Sequence, residues 1–223
     1  MEEVFLNHQP NNSGSLVVSY LTLRKAIGVL GISLPFILSL GALIVFKTGF
    51  QTSISGYYYT GMRDVFVGTL CAVGVFLFSY KGYERKDDLA GNFASVSAIG
   101  VALFPTAPVN DPTSLQEIIS NVHLVFAALF FLTLAYFSLC LFTKSEATKP
   151  RTAMKRCRNL VYIVFGWIIV ASIVLIVVHG FLPANIKQAV SAYNPVYWLE
   201  SIAVVSFGIS WLTKGEAILW DKT

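Results

Sequence analysis

Leu160-Val161-Tyr162-Ile163-Val164-Phe165-Gly166-Trp167-Ile168-Ile169-Val170-Ala171-Ser172-Ile173-Val174-Leu175-Ile176-Val177-Val178-His179 runs without a single Asp, Glu, Lys or Arg. A helix needs roughly 20 predominantly apolar residues to cross the hydrocarbon of a bilayer. The run does not alternate polar with apolar side chains, as a strand of a membrane barrel must. An open strand in lipid would leave its N–H and C=O groups unpaired. Residues 160–179 therefore read as a membrane-spanning helix, and the fold class is an all-α polytopic bundle.

Working outward, five further apolar runs share this character: Ala26–Phe46, Val65–Tyr80, Leu89–Phe104, Val122–Phe142 and Pro195–Thr213. Together they predict six transmembrane helices. Spans two and three are short by the same measure. Composition agrees with the class: the chain is 55% hydrophobic and 13% charged, against roughly 25% charged in soluble domains, with a mean hydropathy of +0.66. The formal charge of +4 sits in loops rather than on one face, which argues against nucleic acid as a partner.

The loop just before residue 160 orients the whole. It holds Lys144, Lys149, Arg151, Lys155, Arg156 and Arg158. With the N-terminus inside, Arg24, Lys25, Lys81, Arg85, Lys86, Lys214 and Lys222 join them on the same side. Lys47, Arg63 and Lys187 remain outside. Short loops rich in Lys and Arg stay cytoplasmic, so the expected location is the inner (plasma) membrane with both termini cytoplasmic. The expected organisation is a polar tail and interfacial lead-in over 1–23, a six-helix domain over 24–216 and a cytoplasmic tail over 217–223. Glu2 and Glu3 replace the basic region of a secretory signal, and no cleavage site follows the first apolar run. Cys71, Cys140 and Cys157 form no C-x-x-C pair, so neither a disulfide nor a metal ligand set is expected from them.

Local grammar adds detail. Asn194-Pro195 predicts an N-cap followed by proline at the first helical position. Ser114-Leu115-Gln116-Glu117 predicts a capping box, with the fourth span beginning above the membrane. Ile186, Val190 and Tyr193 stand at helical spacing within Pro183–Tyr193, as in a short helix lying on the outer surface. Gly91, Ala94, Ser95, Ser97, Ala98, Gly100 and Ala102 give span three small residues on several faces, which predicts close packing and a central place in the bundle. Pro105 and Pro108 end it, and Pro35 lies within span one. No phosphate-loop or dinucleotide fingerprint is present.

Candidate chemistry falls at the outer ends, where Asp64, His123, His179 and Glu200 share a similar depth. Ionisable groups there face the bundle interior and need partners. Three readings follow. Arg63, Asp64, His123 and Glu200 form a structural polar network. Alternatively, Tyr57, Tyr58, Tyr59, Arg63, Asp64, His123, Trp198 and Glu200 line an outward-facing pocket for a lipid headgroup or small solute. In the third, His123, His179, Asp64 and Glu200 hold a metal that activates water for lipid hydrolysis, although no H-x-x-x-H or H-E-x-x-H spacing occurs. A solute transporter is a further possibility, since spans one to three and four to six would have inverted topology. The favoured pocket reading needs no cofactor, and its expected partners are membrane lipids and a small-molecule or lipid ligand. The inner stretch Lys81–Asp88 mixes both charge signs, as solvated loops do.

The stretch Ser53-Ile54-Ser55-Gly56-Tyr57-Tyr58-Tyr59-Thr60-Gly61-Met62-Arg63-Asp64-Val65-Phe66-Val67-Gly68 resembles a segment of a bacterial family of six-span membrane proteins known as a domain of unknown function. Lys81-Gly82-Tyr83-Glu84, Val101-Ala102-Leu103-Phe104-Pro105-Thr106 and Trp198-Leu199-Glu200-Ser201 resemble it too. The likeness covers most of 24–216 and implies six spans without implying an activity. More distantly, the Ile-Ser element and Trp-Leu-Glu are similar to DRAM/Sfk-type membrane proteins. The ceramidase and adiponectin-receptor superfamily is the comparison for the metal reading, but its paired histidine motif in a late helix has no counterpart here.

Overall fold

The computed structural model describes residues 12–82, 84–144 and 152–219. Among them there are helices and no strands. In order, they are α1 (Asn12–Ile44), a 3-10 turn (Ser55–Tyr59), α2 (Arg63–Phe78), α3 (Arg85–Leu103) and α4 (Ser114–Tyr136), which runs on into a π-turn (Phe137–Leu141). Then come α5 (Ala153–Phe181), α6 (Ala184–Val190), a second 3-10 turn (Ser191–Tyr193) and α7 (Pro195–Lys214).

Four segments are long and apolar enough to cross a membrane: Tyr20–Ile44, Ser114–Leu141, Ala153–Phe181 and Pro195–Lys214. They match expected spans one, four, five and six. Expected spans two and three form α2 and α3, which do not meet that standard. The first has 16 residues, roughly 24 Å at 1.5 Å each. The second opens with Arg85, Lys86, Asp87 and Asp88 in its first turn.

The helices form a closed ring. Each of α1–α2, α2–α3, α3–α4, α4–α5 and α5–α7 is a packed pair, and α7 returns against α1. Leu34, Leu70, Val101, Phe130 and Val204 converge inside it from five helices. The expectation that span three is central needs correcting: α3 is a ring member held between α2 and α4. Its small residues serve close approach to those neighbours. A methyl group on Gly91 would come 2.8 Å from the Leu77 carbonyl oxygen.

The ring closes by the same device at α1 and α7. A Cβ added to Gly28 would stand 2.8 Å from Gly208 O, and one on Gly208 would stand 2.7 Å from Gly28 O. Backbones this near gain dispersion contact that larger side chains would prevent.

Three local readings shift. The lead-in and span one are a single helix from Asn12, because nothing between Ser15 and Ser33 breaks it and the Arg24 guanidinium lies 4.1 Å over the Tyr20 ring one turn earlier. The capping box starts one residue earlier than expected, at Thr113, whose hydroxyl accepts from Gln116 N–H while the Gln116 side chain accepts from Thr113 N–H. Asn194 precedes Pro195 at N1 as expected, but it takes a left-handed conformation (φ 46°) and makes no side-chain cap. The short helix expected within Pro183–Tyr193 is present as α6, with no buried residue.

At the other end of the ring, Trp211, Phe137 and Phe142 are fully buried and pack edge to face or tilted with Tyr80 and Tyr162. The π-turn after α4 places Phe137 and Phe142 in this cluster, with Phe142 N–H donating to Phe137 O. Beside it, Lys144 Nζ donates to buried Asp87 at 2.6 Å and reaches Glu84 at 3.5 Å. This tie joins the start of α3 to the end of α4. The hydrogen bond to Asp87 holds the Lys144 ammonium above its ordinary range.

Candidate functional site

The segment between α1 and α2 folds back over one mouth of the ring, and α7 holds it there. Tyr197 N–H, in the first turn of α7, has no partner within its own helix and donates to Thr52 O at 3.0 Å. One turn later, a Glu200 carboxyl oxygen accepts from Ile54 N–H at 2.6 Å, with Ser55 N–H beside it. Glu200 thus caps the 3-10 turn Ser55–Tyr59 in trans, as a carboxylate caps a helix N-terminus within one chain segment.

From the other side, α4 reaches the same turn. His123 is 2% exposed. Its Nδ1 lies 2.6 Å from Phe104 O, just past the end of α3, and its Nε2 lies 3.0 Å from Ser55 Oγ. A carbonyl can only accept, so Nδ1 carries the hydrogen; Nε2 of the neutral ring then accepts from the Ser55 hydroxyl. The result is a continuous polar path: Phe104 O, His123, Ser55, Glu200.

The eight residues expected to line a polar pocket divide. His123 and Glu200 meet through Ser55. Tyr57 is buried among them, tilted against Tyr197, and burial raises its phenol above the ordinary range. Tyr58 accepts from Arg63 Nη2 at 2.8 Å and lies under its guanidinium at 4.4 Å. Tyr59 donates to Thr106 O at 2.6 Å. Asp64 is exposed at the start of α2, away from the path. Trp198 is 54% exposed and faces the other side of α7. The cavity touching Glu200 and Ser55 holds about 30 Å³, room for about one water, and no small solute fits there.

The metal set does not assemble. Among the described residues, no three His, Cys, Asp or Glu side chains stand where one ion would bind them all. His179 is half-buried near the end of α5, and Asp64 is exposed. Cys71, Cys140 and Cys157 are free thiols.

A serine hydroxyl against a histidine nitrogen is also the contact between a nucleophile and its base. Here the neighbouring amides are already engaged: Ile54 N–H with Glu200, Gly56 N–H with Ser53 Oγ at 3.0 Å, and Tyr57 N–H with Ile54 O at 3.2 Å. With those donors occupied, no oxyanion hole is formed, and the path serves to seat the loop.

Across α7 lies a larger space of about 370 Å³. Pro35, Phe36 and Ser39 of α1, Phe165 and Ile168 of α5, and Tyr197, Trp198, Ser201 and Ile202 of α7 line it. Phe50, from the folded-back loop, roofs it: its ring sits 4.3 Å from Tyr197 and 6.0 Å from Trp198. The Ser39 and Ser201 hydroxyls donate to carbonyls of their own helices, Pro35 O and Tyr197 O, so the lining offers mainly apolar and aromatic surface. Sequence reading finds Trp198 but neither Phe50 nor this groove, because two apolar runs give no sign of which faces leave a gap.

No family model matches the chain, and neither a curated protein nor a solved structure is similar to it.

Proposed function

We propose that this is a six-span protein of the inner membrane, both termini cytoplasmic, that binds a lipid or similar amphiphile in the groove between α1, α5 and α7. The groove itself carries the reading. It has the volume of a small-ligand site, opens where acyl chains run, and ends beneath an aromatic roof at the depth where headgroups begin. The outer polar path supports it indirectly: Glu200, Ser55 and His123 seat the loop that carries Phe50. Relative to a headgroup pocket lined by Tyr57–Tyr59 and Asp64, the ligand position moves across α7 and becomes largely apolar. The resemblance to a bacterial six-span family agrees with the architecture and adds no substrate.

Native mass spectrometry of the detergent-purified protein tests this. One lipid is expected to co-purify per chain. Ile202→Trp, which fills the groove from a half-exposed position, is expected to remove it. Equal retention by Ile202→Trp, or no retained lipid in the parent protein, rejects the reading. Orientation is tested separately: a membrane-impermeant maleimide is expected to label Cys157, exposed near the start of α5, from the cytoplasmic face. Labelling from the opposite face reverses the topology.

A further inference from the structure

The groove between α1, α5 and α7 is uncharged: no Asp, Glu, Lys, Arg or His stands among its described lining residues. Glu200, on the same helix as Tyr197 and Trp198, faces the ring interior instead, where it accepts from Ile54 N–H at 2.6 Å. The Phe50 ring closes the space above, 6.0 Å from Trp198. A phosphate drawn beneath that roof would lose its water and meet no cation. An unpaired buried charge is among the costliest groups to hold in a low-dielectric site.

What the groove does offer is hydroxyl, from Ser39, Ser201 and Ser206. Two of the three are engaged as donors: Ser39 Oγ to Pro35 O at 2.8 Å, and Ser201 Oγ to Tyr197 O at 2.7 Å. Each keeps a lone pair that can accept. Ser206 differs. It is 3% exposed. Its carbonyl accepts from Ser210 Oγ at 3.1 Å, while its own hydroxyl has no hydrogen-bond partner among the described residues. Trp198, Ile202 and Ser206 recur every four residues and so share one side of α7. At 1.5 Å per residue, Ser206 lies roughly 12 Å deeper than Trp198. A buried hydroxyl at that depth, with its donor still to satisfy, suits an acceptor brought by the ligand.

We propose, resting on the groove reading above, that the occupant is an uncharged lipid whose carbonyl or hydroxyl group is held below the Phe50 roof by Ser206, and that phospholipids are excluded. The lipid oxygen accepts from Ser206 Oγ, and a hydroxyl on the lipid can in turn donate to Ser201 or Ser39. Two lipid classes carry this chemistry. A diacylglycerol brings ester carbonyls and one free hydroxyl. A prenylated quinone brings a ring carbonyl, with Phe36, Phe50 and Phe165 as aromatic walls for the ring.

The experiment offers the full-length protein in detergent a diacylglycerol, phosphatidylglycerol of the same chains, and a prenylquinone, and reads retained lipid by native mass spectrometry. Diacylglycerol or the quinone is expected to be retained about tenfold over phosphatidylglycerol, and the better retained of the two names the source. Ser206→Ala, which removes one hydroxyl and adds no bulk, is expected to cut that retention about fivefold. Ser210→Ala, one turn further along α7 and outside the groove lining, is expected to leave it unchanged. Phosphatidylglycerol retained as well as diacylglycerol, and still removed by Ile202→Trp, overturns the inference and leaves the groove reading standing. No retained lipid of any kind rejects both. Retention unchanged in Ser206→Ala also overturns the inference, as do equal losses in Ser206→Ala and Ser210→Ala.

Discussion

Glu200 and Asp64 have like chemistry at similar depth, and their surroundings separate them. One accepts from the backbone of the folded-back loop; the other is exposed. Glu200→Ala leaves Ile54 N–H without its acceptor, and a buried unsatisfied donor costs about 1–3 kcal/mol. A clear fall in thermal stability in detergent is expected for Glu200→Ala and almost none for Asp64→Ala; matching melting curves would show that the carboxyl does not hold the loop. Ser55→Ala removes one hydroxyl bond to His123 and is expected to cost less, about 0.5–1.5 kcal/mol. Lys144 supplies a pH prediction. Its ammonium is held above the ordinary value of 10.5, first by the hydrogen bond to Asp87. A group whose folded pKa is raised adds stability that is complete below the unfolded value and is lost as pH rises through the folded one. The melting difference between the parent and Lys144→Met is therefore expected to be level through neutral pH and to narrow only in the alkaline range above 10.5. Narrowing already near pH 8 would mean that the ammonium is not held by Asp87.

At the scale of elements, the α1–α7 seam depends on two glycines facing each other. Gly208→Ala places a methyl group 2.7 Å from Gly28 O and is expected to destabilise by about 1–3 kcal/mol. Gly31 is on the same helix as Gly28, yet an added Cβ there meets nothing nearer than 3.4 Å. Gly31→Ala is expected to be close to neutral in the same melting assay, and equal losses from the two variants would show that the close backbone contact is not what closes the ring. The elements themselves were legible in sequence because their apolar runs and breakers are local signals: Pro105 and Pro108 after α3, Pro195 at N1 of α7. Helix rotation was not legible. Depth along each axis placed Asp64, His123, His179 and Glu200 in one layer, but a residue's direction around the axis follows from packing against helices distant in the chain. That is why two of the four meet and two do not. Ser55 escaped notice as a site residue because it lies in a loop, where no period marks an inward face.

For the whole molecule, composition and the Lys/Arg asymmetry led to the membrane and to an all-helical fold, and four helices carry that reading by length and composition. The proposed count of six depends on α2 and α3, which take their places in the ring without meeting that standard of length and composition. Ring order could not be read from sequence, since small residues in span three look alike whether a helix is central or merely tightly packed.

The seam between α1 and α7 also bears on synthesis. α1 packs against α7, so this contact forms only after the helices between them have been made, when the long-range loop between them is closed. Until then α1 and α5 present open flanks, and the loop carrying Phe50 lacks both Tyr197 and Glu200. A chain ending before Ala184 is expected to insert, remain incompletely packed and be cleared by membrane proteases, and supplying residues 184–223 as a separate segment is expected to restore its half-life. Adding α7 is thus the step that turns an open row of helices into a closed ring.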